Sequence, residues 1–521
     1  MRRESLVVAA VAVAAAWAAP PALAACTRSD TGVVQVSSDV GTGEGEEPVS
    51  VNPVNPDQLT AVANVYQPVP PLSVQADPLY GGGGVQDTRV YSTRDGGCHW
   101  MTQKLDQGGV GPVNVPLSGG ANAPEFSDAL NVLSTDADST WDRHGNAYFE
   151  AGDAHGVGHD GQEVELIWRS TDAGLTWGPK GGNVGFSATQ GETEGELDRP
   201  WLAMDNSGGP HDGRIYTTTE TTPFADIPPQ VYLKYSDDHG ATWSPAARID
   251  DGTYETQWNP RARPVVGAGG TVYVVYDRGP ISDTPLASYS GPIALVIARS
   301  TDGGQTFDRF TVDSDVERVS SPDEALSAYT ELISAIAADP VHPGHLAVAW
   351  PQATGAENSR IVLRYSVDGG AHWGPRVDVA DDPAAKSDQH DHVTLAWLPD
   401  GRLFVGWRDR RCCGGTWAGD AQQWVRVLNP APGGGVRPGK TVLFSVGTLP
   451  PAASGRGDGV PDEFQGLTAS SAGVGLTWSQ LEPDGLARLV FRRIAPSAFA
   501  AAPAKHRRHH RRHRHHHRRT T

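Results

Sequence analysis

Short stretches rich in acidic and basic residues precede several apolar, strand-like segments of this 521-residue chain. The candidate carboxylates are Glu196, Asp198, Glu331, Asp391 and Glu463, and the candidate arginines are Arg199, Arg261, Arg263 and Arg408. Two carboxylates can act as general acid and base on a glycosidic bond. An arginine can hold a substrate carboxylate through two parallel hydrogen bonds. The pattern favours a site for glycan chemistry, provided that the fold brings these stretches together.

The same charged residues have a structural alternative, in which they cap strand ends and form ion pairs with neighbouring strands. Two further loops carry metal-ligating residue types. Residues 152–163 offer His and carboxylate side chains, and residues 313–317 offer carboxylates suited to Ca²⁺. Neither loop has a defined ligand spacing. The sequence therefore predicts no cofactor and assigns no metal site, with Ca²⁺ left open.

A motif of Ser or Thr, x, Asp, x, Gly, x, x, aromatic occurs five times. The copies are TRDGGCHW (93–100), STDAGLTW (170–177), SDDHGATW (236–243), STDGGQTF (300–307) and SVDGGAHW (366–373). Their closing aromatic residues are 77, 66, 64 and 66 positions apart. A near-constant period of this length, with several strands in each unit, predicts a propeller or a similar array.

The residue types of the motif are those of a tight turn. An Asp side chain accepts hydrogen bonds from the backbone N–H groups that follow it, and Gly adopts the positive φ that such a turn needs. The Ser or Thr adds another bond from side chain to backbone. The interpretation is therefore structural for the five aspartates, Asp95, Asp172, Asp238, Asp302 and Asp368.

A second repeat, a strand pair with a small polar tip, lies between the motifs. It occurs seven times, at 47–66, 139–153, 199–220, 263–279, 333–352, 392–411 and 466–480. These pairs predict the two inner strands of seven blades. With alternating segments such as TVYVVYD (271–277) and 61 Gly and 40 Pro, the chain is expected to be all-β, a seven-bladed β-propeller. Residues 32–39 are expected to add an outer strand to the last blade.

The five-fold motif resembles the Asp-box, or BNR repeat, of the sialidase superfamily, over residues 45–495. The resemblance implies that each box joins the outer two strands of a blade, on the side away from the ligand site. It suggests six blades as the alternative to seven. It also implies an exo-α-sialidase-like glycoside hydrolase, or a protein that binds glycans. The competing hypothesis is a non-catalytic propeller that presents a surface to a protein or to the cell envelope.

The N-terminal residues have the pattern of an export signal. Arg2 and Arg3 precede a short apolar run that ends in small residues, so 1–25 is interpreted as a signal peptide. The protein is then extracellular or in the cell envelope. Export suits disulfide formation, and Cys26 with Cys98 is one pairing of the four cysteines, Cys412 with Cys413 another. LAAC at 23–26 also resembles a lipoprotein box, in which Cys26 would be lipidated.

Charge separates the body of the protein from its C-terminal tail. The net charge is −19, and residues 505–519 hold eight Lys and Arg and seven of the 18 His, so the remainder is near −27. Such an acidic body disfavours nucleic acid as a partner. We expect a monomer, a propeller domain at 26–500 and a disordered tail at 501–521 that can attract anionic envelope polymers.

Overall fold

The structure is a computed structural model of the whole chain. It describes residues 26–27, 29–37, 43–45, 48–67, 85–104, 133–154, 163–178, 183–187, 196–222, 230–251, 262–279, 293–317, 319, 334–355, 358–382, 389–412, 420–431, 433–448, 465–481 and 487–500. The structural statements below concern these residues. Among them there are 29 strands and one short 3₁₀ helix, Pro496–Phe499, and no helix has the length and apolar character to cross a membrane.

The strands form seven antiparallel sheets, which we number as blades in chain order. Blade 1 contains β2 (Gly43–Gly45), β3 (Val49–Val51), β4 (Leu59–Gln67), β5 (Val85–Thr93) and β6 (Met101–Lys104). Blade 2 contains β7 (Leu133–Trp141), β8 (Ala147–Ala154), β9 (Glu163–Ser170) and β10 (Asn183–Ser187). Blade 3 contains β11 (Glu196–Met204), β12 (Ile215–Thr222), β13 (Val231–Ser236) and β14 (Ala247–Arg248).

The other four blades have four strands each. Blade 4 contains β15 (Arg263–Val266), β16 (Val272–Arg278), β17 (Ile293–Ser300) and β18 (Asp308–Val316). Blade 5 contains β19 (Ala335–Ala338), β20 (Leu346–Gly355), β21 (Asn358–Ser366) and β22 (Val377–Asp378). Blade 6 contains β23 (His390–Trp397), β24 (Leu403–Asp409), β25 (Gln422–Pro430) and β26 (Val436–Leu443). Blade 7 contains β27 (Leu467–Ala469), β28 (Val474–Leu481), β29 (Ala487–Ile494) and β1 (Val34–Gln35).

The seven blades close into a ring. Strand β3 contacts β7, and the innermost contacts then run through β11, β15, β19 and β23 to β27, which returns to β3. Each of the seven predicted inner strand pairs is found in a different blade. The predicted all-β, seven-bladed propeller is therefore confirmed, and the six-bladed alternative is wrong.

The five motif copies are turns between the third and fourth strands of blades 1–5, counted outward from the innermost strand (β3, β4, β5 and β6 in blade 1), and we call them the Asp turns. In blade 4, Asp302 Oδ1 accepts hydrogen bonds from the backbone N–H groups of Gln305 (3.1 Å) and Thr306 (2.9 Å). Ser300 Oγ donates to the same oxygen at 2.7 Å and accepts from the Gly304 N–H at 2.8 Å. All the hydrogen bonds that hold the turn together are thus made within the eight residues of the motif, which explains why the motif is short and regular.

The hydrophobic core lies between the blades. Each pair of neighbouring blades buries its own cluster, for example Ile297 of blade 4 with Leu346 and Trp350 of blade 5. Trp350, Trp407 and Trp478 occupy the fifth position of the second strand in blades 5, 6 and 7, and all three are fully buried. Burial of large side chains between neighbouring sheets supplies most of the stabilisation of such a ring.

The N-terminal segment closes the seam between blades 7 and 1. Strand β1 pairs with β29, as predicted for residues 32–39, and Asp30 forms an ion pair with Arg492 at 2.7 Å. A disulfide joins Cys26 to Cys98 in the Asp turn of blade 1, which confirms that pairing. Cys412 is also disulfide-bonded, and Cys413 lies outside the described residues.

Candidate functional site

The ring has two distinct faces, which we call the turn face and the opposite face. The Asp turns follow the end of each third strand, so they lie on the turn face. Because the strands of a blade alternate in direction, the first strands start at the opposite face and the second strands end there. Among the described candidates, Arg199, Arg263 and Asp391 lie in the first half of first strands, toward the opposite face. Arg408 lies near the end of the second strand of blade 6, at the same face.

Three of the innermost strands contain a β-bulge. The register shifts between Thr135 and Asp138 in β7, between Asp198 and Trp201 in β11, and between Asp391 and Thr394 in β23. Two bulge residues have left-handed backbone angles although they are not glycine, Arg199 with φ 49° and His392 with φ 53°. Bulges and left-handed backbone of this kind are often found beside functional sites, because they re-aim side chains.

A carboxyl, an aromatic ring and a guanidinium come from three successive innermost strands. Asp138 on β7 is only partly buried, and its two oxygens accept the N–H groups of Ser139 (2.8 Å) and Leu202 (2.9 Å). Arg263 at the start of β15 stacks on the Trp201 ring of β11, with 4.0 Å between the guanidinium carbon and the ring centroid. The group thus offers an acid and a cation within one sector of the ring.

The environment of Asp138 makes its carboxyl a weak acid. Burial raises the pKa of Asp138 to about 7, although the two N–H donors and the charge of Arg263 act in the opposite direction. A carboxyl with this pKa is partly protonated at neutral pH. It can therefore donate a proton, which an ordinary exposed aspartate cannot do under the same conditions.

Two more carboxyl groups lie beside Asp138 within blade 2. Glu150 on β8 pairs across the sheet with Asp138, and Glu165 lies on the next strand, β9. Glu150 and Glu165 are fully buried, and Thr217 Oγ1 of blade 3 lies 2.8 Å from each carboxyl oxygen of Glu150. Burial, and then the negative charge of Glu165, hold the pKa of Glu150 well above its usual value.

The candidate residues of β11 fall into two groups. Arg199 forms an ion pair with the buried Glu220 of β12, with 2.7 Å between Nη1 and Oε1. Glu196 and Asp198 lie on the same strand, opposite Thr222 and Glu220, but their side chains are outside the described residues. Arg199 therefore has a structural partner, and the two carboxylates remain sequence predictions.

The candidate Asp391 of blade 6 is enclosed by cations. Arg408 Nε donates to Oδ1 at 2.7 Å and Arg410 Nη1 donates to Oδ2 at 2.5 Å, and His392 Nδ1 lies 2.9 Å from Oδ1. Burial opposes the charge of Asp391, but Arg408 and Arg410 outweigh it and lower the pKa. This carboxylate stays ionised, so it suits a positioning role better than proton donation.

A second buried network in blade 6 surrounds His390. His390 Nδ1 lies 2.6 Å from the backbone oxygen of Ser359, and Nε2 lies 3.1 Å from Asp409 Oδ2 and 3.6 Å from Asp382 Oδ1. Burial disfavours the charged imidazole, yet the bond to Asp409 and its charge raise the pKa of His390. Arg411 Nη2 also contacts Asp409 Oδ2, at 2.6 Å. The network is a set of mutually neutralising charges in the wall of the ring.

The remaining candidates, Arg261, Glu331 and Glu463, lie outside the described residues. So do the side chains proposed as metal ligands in 152–163. In 313–317, the buried Asp313 is bound by Arg376 at 2.7 Å and by Arg364 at 2.8 Å.

The sequence interpretation missed Asp138, Glu150, Glu165, Asp382 and Asp409. One signal was available for Glu150 and Glu165, since each lies directly between two apolar residues of its strand.

Comparison with known proteins gives structural likeness only. No family model matches the chain, and no curated protein matches it. A protein of unknown function from Dyadobacter fermentans is 14% identical with a TM-score of 0.44, covering 69% of this chain and 94% of its own. A point mutant of the NanB sialidase of Streptococcus pneumoniae is 10% identical with a TM-score of 0.43, covering 90% and 95%. An α-L-arabinofuranosidase from Fusarium graminearum is 11% identical with a TM-score of 0.42, covering 70% and 88%. At these scores the likenesses decide nothing about activity.

Proposed function

We propose that this protein is a glycan-active propeller that cleaves a glycosidic bond at its opposite face, as an exo-α-sialidase-like glycoside hydrolase. The observation that carries the proposal is the Asp138 carboxyl, which has a pKa of about 7 and is partly exposed on an innermost strand. Protonation of the leaving oxygen by such a group is the step that glycoside hydrolysis requires. Asp138 is the proposed general acid.

Arg263 is proposed to bind an anionic sugar. Its guanidinium carbon lies 4.0 Å from the centroid of the Trp201 ring, and this contact restricts the position of the donor group. A carboxylate on the substrate would meet a fixed positive charge in this sector. The second catalytic carboxylate is proposed to come from the charged stretches already singled out, with Glu196, Asp198, Glu331 and Glu463 as the candidates.

The alternative is a propeller that binds a glycan, protein or envelope surface without catalysis. It is favoured by the ion pairs of the described candidates, since Asp391 is neutralised by Arg408 and Arg410 and Arg199 by Glu220. Charges that are fully engaged within the protein position loops and strands, and they do no proton transfer. The two proposals differ in whether Asp138 is needed for turnover.

We also propose that the protein is exported, with residues 1–25 as its signal. The disulfide between Cys26 and Cys98 supports this, because such bonds persist in oxidising compartments. The same sulfur of Cys26 cannot carry both a disulfide and a lipid thioether. Intact-mass measurement of the exported protein distinguishes the two chemistries.

The test is hydrolysis of fluorogenic sialosides and a panel of neutral glycosides by the full chain, the Asp138→Asn variant and the Asp308→Asn control. Asp308 is an exposed carboxylate on the turn face. Loss of about 10²–10⁴ in kcat/KM in Asp138→Asn alone supports the proposal. We also expect wild-type kcat/KM to fall as pH rises above about 7, since the acid must be protonated.

Cleavage of sialosides would support Arg263 as the carboxylate-binding group, and cleavage of neutral glycosides alone would reject that role. Full activity in Asp138→Asn would overturn the assignment of the acid. Glycan binding without hydrolysis of any substrate would support the non-catalytic alternative.

A further inference from the structure

The tip of the inner hairpin of blade 5 brings two imidazoles and a carboxylate together on the turn face. It connects β19 to β20 through the sequence DPVHPGH, 339–345. One ligand atom from each of Asp339, His342 and His345 lies within 4.8 Å of the others. The cluster is separate from the proposed glycan site, which belongs to the opposite face.

We propose that Asp339, His342 and His345 form a binding site for a divalent transition-metal ion of the Zn²⁺ class. Two imidazole nitrogens and one carboxylate oxygen suit Zn²⁺, Ni²⁺ or Cu²⁺, whereas Ca²⁺ and Mg²⁺ prefer an all-oxygen set. Three protein ligands leave at least one coordination position for water or for an external ligand. The spacing D-x-x-H-x-x-H places all three on one short turn.

The carboxylate is already oriented by the backbone. Asp339 Oδ1 accepts the N–H groups of Val341 at 2.8 Å and His342 at 3.1 Å. This leaves Oδ2 toward the imidazoles, 2.9 Å from His342 Nδ1. The His342 and His345 rings stack with centroids 5.2 Å apart.

An outer hydrogen bond fixes the second imidazole. His345 Nδ1 lies 2.6 Å from the hydroxyl of Tyr365, which belongs to β21 of the same blade. When Nδ1–H donates to this oxygen, Nε2 keeps its lone pair for a metal. A hydrogen bond from the non-ligating nitrogen is the usual support of a histidine ligand.

The hairpin holds these residues in place before any ion arrives. The Asp339 N–H donates to the His345 oxygen at 2.9 Å, and the Gly369 N–H of the neighbouring Asp turn donates to the Gly344 oxygen at 2.9 Å. Pro340 and Pro343 fix two φ angles within the turn. A preorganised turn loses little conformational entropy when it binds an ion.

Comparison with blade 2 separates the structural role of the aspartate from the proposed role of the histidines. At the equivalent hairpin, Asp142 Oδ2 accepts from Asn146 Nδ2 at 2.6 Å and from the Tyr148 hydroxyl at 3.3 Å. The turn aspartate is therefore needed with or without a metal. In blade 5 the amide of Asn146 is replaced by the imidazole of His345. Both tips carry a second histidine, His144 and His342, whose N–H bonds the aspartate, and in blade 5 the ring of His342 also lies 2.9 Å from Asp339 Oδ2.

Access also favours this cluster over the buried group of Asp382, His390 and Asp409. The side chain of His342 is 56% exposed, so an ion can reach it from solvent. In the buried group, the guanidinium of Arg411 already lies on Asp409 and would repel a cation. In the turn-face cluster, the contacts described above come from backbone N–H groups, the Tyr365 hydroxyl and the cluster's own imidazoles.

The experiment is a Zn²⁺ titration of the EDTA-treated full chain, read by thermal unfolding and by bound zinc per chain. The variants are His342→Gln, the double variant His342→Gln/His345→Gln, and the control His372→Gln. His372 is an exposed histidine that bonds Asp368 in the same blade, so the control removes an imidazole outside the cluster. The seven histidines of 505–519 are common to all four proteins.

We expect Zn²⁺ at 100-fold its Kd to raise the Tm of the wild type and of His372→Gln by about 2 °C or more. The rise should be lost in His342→Gln and in the double variant, which should also bind one Zn²⁺ fewer per chain. No rise in the wild type, or an equal rise in the cluster variants, would overturn the site. Because His342 is exposed, its variant is expected to fold, and none of these readouts depends on glycan hydrolysis.

Discussion

Carboxyl groups in different blades of this ring have opposite electrostatic environments. Asp138 and Glu150 lie where burial dominates, so their pKa values are raised. Asp391 and Asp409 lie against arginine or histidine, so their pKa values are lowered despite burial. The carboxyls with raised pKa values and those with lowered pKa values are therefore in different blades, which is why we propose acid chemistry in blade 2.

The raised pKa of Glu150 predicts how stability depends on pH. A carboxyl whose pKa is higher in the folded than in the unfolded state loses stability as pH rises from the unfolded value toward the folded one. Glu150→Gln keeps the shape and the contact with Thr217 but removes the charge. We expect the variant to match the wild type near pH 4 and to be more stable at pH 8, as measured by urea unfolding across pH.

Glu317→Gln is the matched control for that series, because Glu317 is exposed. Its stability should follow the wild type at every pH. Asp138 continues to titrate in all three proteins, so some pH dependence remains in Glu150→Gln. A constant difference between Glu150→Gln and wild type from pH 4 to pH 8 would contradict the raised pKa.

At the residue scale, sequence alone could identify charge but could not assign its partner. The stretch that contains Asp391 is conspicuous in sequence, yet Arg408 and Arg410 that neutralise it come from the next strand and the residue just after it. Glu150 becomes important only through its cross-strand neighbours. Burial and pairing are properties of the assembled sheet, so these roles were beyond the reach of the sequence.

At the scale of elements, each of three Asp turns also packs closely against the preceding blade. The glycine at the fifth position of the motif faces the preceding blade, as Gly97 faces Phe491 of blade 7 and Gly174 faces Ser92 of blade 1. Gly370 faces Ile297 of blade 4 in the same way. The glycine is thus required twice, for its positive φ and for the close approach.

Two alanine substitutions separate these requirements. Gly370 has φ +82°, and an added Cβ would lie 2.0 Å from Ile297 Cδ1. Gly401 has φ +87° but no atom within 4 Å of such a Cβ. Gly401→Ala should cost about 1–2 kcal/mol from backbone strain alone, and Gly370→Ala about 1–3 kcal/mol more from overpacking. Urea unfolding measures the loss in free energy of unfolding for both variants. Equal losses would show that close packing of the turn against the preceding blade adds nothing to stability.

The elements themselves were largely predictable. The five turns and the seven strand pairs follow local chemistry with a fixed period, so the sequence contained both. The bulges at Arg199 and His392 were not predictable, because left-handed backbone at non-glycine residues is imposed by tertiary packing. Charged candidate residues lie at or beside these bulges, Arg199 in β11 and Asp391 in β23.

At the scale of the whole molecule, the ring depends on a seam between its first and last blades. Strand β1 adds an N-terminal strand to blade 7, and Arg493 of β29 reaches Asp57 of blade 1 at 3.4 Å. Closure by a strand from the other end of the chain leaves fewer exposed sheet edges. The Asp turns are found in blades 1–5, whereas the inner strand pair is found in blades 6 and 7 as well. Counting the strand pairs therefore gives seven blades.

The disulfide is expected to secure this seam, since it ties the segment before β1 to the Asp turn of blade 1. Its cysteines are 72 positions apart. Restricting the unfolded chain over a loop of that length stabilises the folded state by about 4 kcal/mol in the loop-entropy model. The Cys26→Ser/Cys98→Ser variant should therefore unfold at a clearly lower urea concentration, with the Cys412 bond left as it is. An unchanged midpoint would mean that the pairing of β1 and the ion pair of Asp30 close the ring by themselves.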